Sequence, residues 1–580
     1  RGNIYDKNGK LLAYNELAYS ISINDSTTYS STKEKNKAVN AELAEILTVL
    51  KNNGETLNND FKIDRKKDGT YSFNVSGSSL NRFRADVFGK GSADDLEYDK
   101  ETGIDEANAT AEQIMEYLMG KDNFGISSKY DGDLAYRIVV VRYAMLGNRF
   151  ARYKEVKIAT DVSDKTVAYV NEHMDTLSGI SVNEDMIRKY NYSEYFSSII
   201  GYTGPISESE YTALHKKNKD YTQNDTVGKA GMEQHYETYL RGKNGEQKFY
   251  IDNVGRISEI ISSTDSVAGD DLYLSIDADL QKATYLALQN EIAAIVYSNI
   301  KSGEIPINDV YTALIGNSVI NTEHFSKAKA SDTEKNVLSV FKSRQKTTLG
   351  KIKQELTSSP EALNTMSDEV LDEFTYIISM LKDDQVLLKN EIDTSDSVYQ
   401  KWKNQKISPK EYLSYCITQH WIDISQLNVD EKYADSTEVY DALCKYILKN
   451  IKTDTEFSKI IYQYMITRGE ISPRQLCLIL FDQGVLDYDD ATVNKLKNGS
   501  LSPRDFLMKK IYNIEITPAQ LALEPCTGSC VVTDEKTGEI LAMVSYPGYD
   551  SNKLANGVDS EYFASLQHDK SSPLLNYATQ

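Results

Sequence analysis

Between residues 301 and 510 nearly every legible signal is a helical one. Ser359-Pro360, Ser408-Pro409, Ser472-Pro473 and Ser502-Pro503 each set Ser at an N-cap and Pro at the first helical position. Ser caps an orphan N–H there, and Pro has no N–H to waste. Glu411 follows Ser408, and Gln475 follows Ser472, at capping-box spacing. Val370, Leu371, Phe374, Ile377, Ile378 and Leu381 form one apolar stripe. The uneven spacing of the Ser-Pro starts excludes a solenoid repeat. Strand signals flank this block. Asp271–Ile276 alternates before it, and Asp277 or Asp279 caps a helix carrying Leu280, Tyr285, Leu286 and Leu288. After Thr517-Pro518, Ser529–Thr533 and Glu539–Val544 read as strands around a turn at Asp534–Gly538. The expectation is one sheet built from 271–276 and this hairpin, with an all-α block inserted into it.

The first 265 residues read as mixed α+β. Asn8-Gly9 between Asn3–Asp6 and Lys10–Ala13 predicts a hairpin with a type I′ turn. Tyr19–Ile23 alternates as a half-buried strand does. Leu43, Ile46, Leu47 and Leu50 have helical spacing, and Asp164–Glu172 is also predicted helical. Leu134–Val141 is apolar and β-branched and predicts a strand. So do Ile180–Val182 and Ser198–Tyr202, closed by a Gly204-Pro205 turn. Val227–Glu233 opens a helix through Leu240 that Gly242 stops.

The length of 580 residues suggests roughly four domains at about 150 each. A net charge of −21 argues against a nucleic-acid backbone binder, which needs clustered positive charge. It reads instead as a solvated surface. Cys416, Cys444, Cys477, Cys526 and Cys530 are too few and too odd for a disulfide framework. Cys526 and Cys530 lack a second ligand pair for zinc. His173, His215, His235, His324, His420 and His568 are scattered without ligand spacing, so no metal site and no cofactor is expected. No apolar run reaches the about 18 residues of a membrane helix. The chain starts at Arg1 rather than Met, which suggests that an N-terminal segment has been removed.

Gly228-Lys229 lacks the spacing of a phosphate loop. Serine acyl-transfer enzymes combine Ser-x-x-Lys, Ser-x-Asn and Lys-Thr-Gly. Ser-x-x-Lys puts both side chains on one helical face, where the amine takes the hydroxyl proton. Such triplets include Ser30/Lys33, Ser326/Lys329, Ser343/Lys346, Ser181/Asn183 and Lys536-Thr537-Gly538. Ser30 sits in a polar stretch, two pairs sit in the helical block, and Lys536-Thr537-Gly538 sits in a hairpin turn. None is assigned a catalytic role.

Longer segments carry a specific resemblance. Arg1-Gly2-Asn3-Ile4-Tyr5-Asp6-Lys7-Asn8-Gly9-Lys10-Leu11-Leu12-Ala13 resembles the opening of class B penicillin-binding proteins, just after their single membrane helix. Gly201-Tyr202-Thr203-Gly204, Gly228-Lys229-Ala230-Gly231-Met232-Glu233 and Tyr236 to Arg256 resemble the end of that family's pedestal. Leu272–Gln281 and Thr537–Pro547 resemble the entry and first hairpin of its transpeptidase domain. Pro573-Leu574-Leu575-Asn576-Tyr577-Ala578-Thr579-Gln580 resembles the run before its nucleophile helix. The likeness covers about 1–300 and 511–580. Lys7 stands where Arg is usual, Asn191 where Pro usually follows Tyr190, and Ser551 where Pro is usual between Asp550 and Asn552.

The resemblance implies an α+β multidomain chain. A β-rich, dimerisation-type pedestal would span 1–265, the start of the transpeptidase domain 266–300, and its incomplete continuation 511–580. Residues 301–510 would be an all-α insert similar to that of some clostridial members, either a lineage-specific decoration or a docking arm. The implied activity is that of a D,D-transpeptidase that cross-links peptidoglycan stem peptides through a serine acyl-enzyme trapped by β-lactams. No metal or organic cofactor is implied. The catalytic Ser and Lys are expected downstream of Gln580, so no catalytic residue is named within the chain, and the chain alone is expected to be inactive. Implied partners are a glycosyltransferase or other cell-wall synthesis proteins, in cell division or cell shape. The location would be extracellular, on a single membrane anchor before Arg1. The alternative is a non-catalytic scaffold that positions the catalytic domain and binds those partners. A β-lactam-sensing receptor is disfavoured by the pedestal segments 1–13 and 201–256.

Overall fold

The computed structural model describes all residues except 26–28, 67–68, 76, 101, 148–153, 224, 252–256, 359–360, 428–434, 557–558 and 580. It divides into two compact units. The first holds 1–281, 533–541 and 548–565, and the second holds 282–532, 542–547 and 566–580.

The first unit is organised on a five-stranded sheet. Its strands are β1 (Ile4–Tyr5), β2 (Leu11–Ile23), β3 (Val156–Val162), β4 (Ile180–Tyr190) and β5 (Leu272–Tyr273). The long β2 pairs antiparallel with β4 from Ala13↔Tyr190 to Ile23↔Ile180. Its other edge is shared, β1 taking the start and β3 the end. β5 adds to β1 in parallel. Ser20 to Ile23 are all buried, so this part of β2 is covered on both faces rather than half-buried.

The β1–β2 hairpin forms as expected, but its turn is not type I′. Gly9 N–H donates to Asp6 O at 3.1 Å and Gly9 has φ +79°. That is a type I turn followed by a left-handed residue, the three-residue hairpin loop. The reason is Asp6, whose Oδ1 accepts from Asn8 N–H at 2.8 Å and Lys10 N–H at 2.7 Å.

Helix α1 (Thr32–Asn52) lays Leu43, Ile46, Leu47 and Leu50 on a core with Ile21, Ile23 and Ile158. Residues 134–141 form no strand. They lie in α2 (Gly132–Gly147). Ile138 and Val141 enter the sheet-side core, while Val139 and Val140 enter a second core with Phe61, Phe83, Ile114 and Leu118. A helix buried between two cores is apolar all round and loses the periodicity that marks a surface helix. Ser198–Ile200 is likewise helical, within Ser193–Ile200, and only Thr203–Pro205 is strand. Asp164–Glu172 is helical as expected. The helix expected from Val227 to Leu240 starts later, at Gly231, and breaks at Tyr236 into Gly231–His235 and Glu237–Leu240.

The expected common sheet does not form. β5 joins β1, whereas Gly528–Thr533 and Ile540–Tyr546 make their own two-stranded sheet. Asp277 caps the helix Ala278–Ser302, accepting from Asp279 and Leu280 N–H at 3.0 Å.

The second unit is helical through residues 307–512. Ser408, Ser472 and Ser502 accept from Glu411, Gln475 and Asp505 N–H, with Pro inside each helix start. Ser472 and Gln475 complete the reciprocal box. Ser359-Pro360 lies outside the described residues. The elements used below are α3 (Asp332–Thr357), α4 (Asp368–Asp383) and α5 (Thr455–Thr467). On α4, Phe374, Ile377, Ile378 and Leu381 are buried, as the stripe predicts.

Candidate functional site

The most concentrated chemistry of the first unit is a buried ion network at the start of the chain. Arg188 Nε donates to Glu233 Oε1 at 2.7 Å, with side chains 2% and 0% exposed. Arg1 Nη2 lies 3.1 Å from Glu233 Oε2 and donates to Glu237 Oε2 at 2.8 Å. Glu237 also accepts from Gly228 N–H at 2.8 Å and from Tyr221 Oη at 3.2 Å. Two arginines against two carboxylates leave the set electrically balanced, the condition under which charges tolerate burial. Burial, followed by the nearby Glu233 charge, drives the Tyr190 phenol far above its usual range. Arg1 is held above its ordinary pKa: burial opposes the charge, but Glu233 and Glu237 outweigh it.

The glycines beside the network allow the backbones to interlock. A Cβ on Gly228 would stand 2.0 Å from Glu233 O, and one on Gly201 would stand 2.0 Å from Ala230 O. Asp6 serves the same end of the unit. Besides its turn, it accepts from Ala278 N–H at 3.0 Å through Oδ2 and so fixes a helix start.

Residues 548–556 are strapped to the free edge of β4 in an unusual way. Asn552 accepts from Tyr190 N–H at 2.8 Å and donates to Tyr190 O at 3.0 Å. Asn556 does the same at Arg188, at 2.7 and 2.9 Å. Side-chain amides thus take the place of a neighbouring strand's peptide groups. Ser193 Oγ donates to Asp550 Oδ1 at 2.9 Å and accepts from Ser551 N–H at 2.6 Å. The departures from the family pattern acquire a reason here. Asn191 donates its N–H to Leu12 O at 2.8 Å, and Ser551 uses its N–H at Ser193. A proline at either position has no such donor.

The acyl-transfer triplets are placed as follows. Ser30 Oγ donates to Glu34 rather than pairing with Lys33. Ser326 Oγ donates to Glu323 O at 2.9 Å, and Ser343 and Lys346 are exposed on α3. Ser181 and Asn183 both donate to Glu155. Lys536-Thr537-Gly538 is an exposed turn in which Asp534 Oδ1 accepts from Lys536 N–H at 2.8 Å and Thr537 N–H at 3.0 Å. Cys416, Cys444, Cys477 and Cys526 are buried, and Cys530 is half-buried. Among the described residues no cluster of His, Cys, Asp or Glu forms a metal-binding group.

Sequence reasoning held Arg1, Glu233 and Glu237 within longer segments but missed Arg188. The available signal was the spacing of Glu233 and Glu237, four residues apart just after Gly228 and Gly231. Arg188 lies on a strand that contacts the network only through the β2–β4 register, which local sequence does not reveal.

Residues 1–274 match the family described as the penicillin-binding protein dimerisation domain. Over that span the chain is similar to the class B penicillin-binding proteins. Among curated relatives, the chain is 28% identical over 157 residues to peptidoglycan D,D-transpeptidase MrdA of Salmonella typhimurium, covering 27% of this chain and 25% of that one. It is 34% identical over 136 residues to penicillin-binding protein 2A of Bacillus subtilis, covering 23% and 19%. The chain therefore spans about a quarter or less of the length of these relatives. Among solved structures it is similar to penicillin-binding protein 2B of Streptococcus pneumoniae, with 22% identity, a TM-score of 0.30, and coverage of 53% of this chain and 44% of that one. Among the described residues no helix is long and apolar enough to cross a membrane.

Proposed function

We propose that this penicillin-binding protein is the pedestal-bearing part of a peptidoglycan D,D-transpeptidase, and that residues 1–281 act as its rigid support. The match of residues 1–274 to the dimerisation domain carries this reading. The transpeptidase names of the relatives support it, as does the buried Arg1–Arg188–Glu233–Glu237 network that stiffens this region. In the whole protein, a serine attacks the penultimate D-Ala carbonyl of a stem peptide and expels the terminal D-Ala. An amine of a neighbouring stem then takes the acyl group. Backbone N–H groups that hold the oxyanion supply much of the rate. This work takes place outside the membrane, beside the proteins that polymerise the glycan.

Residues 1–580 contribute position rather than acylation. The serines of their Ser-x-x-Lys triplets are engaged with carboxylate or carbonyl acceptors, or stand exposed on a helix. Incubation of the chain with a fluorescent penicillin is the test. No covalent label is expected, and a penicilloyl adduct mapped to any serine within 1–580 would overturn this assignment.

A further inference from the structure

Within the helical unit, α4 carries two buried carboxylates one turn apart, Glu369 and Glu373, 3% and 1% exposed. The first is amply served. Arg344 Nη2, from α3, donates to both Glu369 oxygens at 2.8 and 3.0 Å. Arg468, at the end of α5, donates to Glu369 Oε2 at 2.5 Å. Arg344 also reaches Glu470 at 3.5 Å. The second is not served. Glu373 Oε1 is buried without a hydrogen-bond partner among the described residues. The charged groups acting on Glu373 are Glu369 on its own helix, Lys351 and Arg344 on α3, and Arg468 at the end of α5. Both arginines are committed to Glu369, which leaves Lys351, exposed on α3, to offset a second buried anion there.

We propose that Glu373 is a proton-operated joint of the helical unit: neutral, it lets α4 seat against α3 and the end of α5, and ionised, it loosens that seat. Removal from water disfavours the carboxylate, and the Glu369 charge one turn away adds to this. Together they push its pKa up to about 8. The ordinary glutamate value is near 4.3. Between these values the folded chain holds a proton that the unfolded chain has released. The contribution of Glu373 is thus fully favourable below the ordinary value and is lost as pH rises through the folded one.

Hydrogen exchange of the full chain, corrected for intrinsic exchange rates, tests this from about pH 6 to about pH 9. Protection of 374–381 in the wild type should fall at least about fivefold, the fall ending in a plateau that begins near the value above. In Glu373→Gln the protection should stay flat, because the amide fills the same space and never ionises. In Glu369→Gln the onset of the plateau should move down by about one unit, since the like charge is gone and both arginines are free to pair with Glu373. Flat wild-type protection would overturn the proposal. So would a loss that persists in Glu373→Gln, which would assign the transition to another group. If Glu373→Gln fails to fold, Glu373→Met takes its place under the same criteria.

Discussion

Arg188 and Glu233 meet at 2.7 Å, with neither side chain more than 2% exposed. One comes from the edge strand of the sheet and the other from a five-residue helix. The contact therefore ties two elements that are distant along the chain, and Tyr190 Oη adds a longer bond to the same Glu233 at 3.4 Å. A buried pair of this kind is costly to break from one side, because the remaining charge stays in the interior.

Arg188→Met should destabilise the first unit by about 3–5 kcal/mol, and Glu233→Gln by a comparable amount. Replacing both residues together by apolar side chains should cost less than the sum of the two single changes. Chemical denaturation of the four proteins checks the cycle, and strict additivity would mean that the pair is not coupled.

Gly228→Ala should be severe although it adds one methyl group. The new Cβ would stand 2.0 Å from the Glu233 carbonyl oxygen, so the backbone itself must move. A loss of more than about 2 kcal/mol is expected, together with weakening of the Glu237–Gly228 bond. Gly89→Ala, where nothing lies within 4 Å of the added carbon but φ is +70°, should show the smaller cost of backbone strain alone. Equal effects in the two variants would contradict the close-approach argument.

Asn552 and Asn556 should each protect one specific amide. Asn552→Ala should speed exchange of the Tyr190 N–H by about tenfold, near the upper end of what one hydrogen bond contributes. Asn556→Ala should do the same for Arg188 N–H and leave Tyr190 unchanged. Residue-resolved hydrogen exchange reads both, and an effect spread evenly over β4 would mean that the strap acts by general packing.

Local chemistry made much of this fold legible in advance. The helix starts at Ser408, Ser472 and Ser502, the helix Asp164–Glu172 and the hairpin around Gly9 follow from side chains that act on their own backbone within a few residues. The same holds for the placement of Lys536-Thr537-Gly538 in a turn, which Asp534 governs. The type I′ assignment failed because a third residue, Asp6, supplies acceptors that favour another turn.

The sequence by itself determined the helical character of 307–512, the strands beside it and the segments that mark the family, because capping, turn preference and hydrophobic period act over short distances. Only tertiary structure decided three further features. Residues 134–141 are helical because two cores bury opposite sides of α2. Leu272–Tyr273 joins Ile4–Tyr5 rather than the 528–546 hairpin. Arg188 finds Glu233. In each case the deciding partner is distant along the chain, and burial, which sets the energy of an apolar face or an unpaired charge, exists only once the chain has folded.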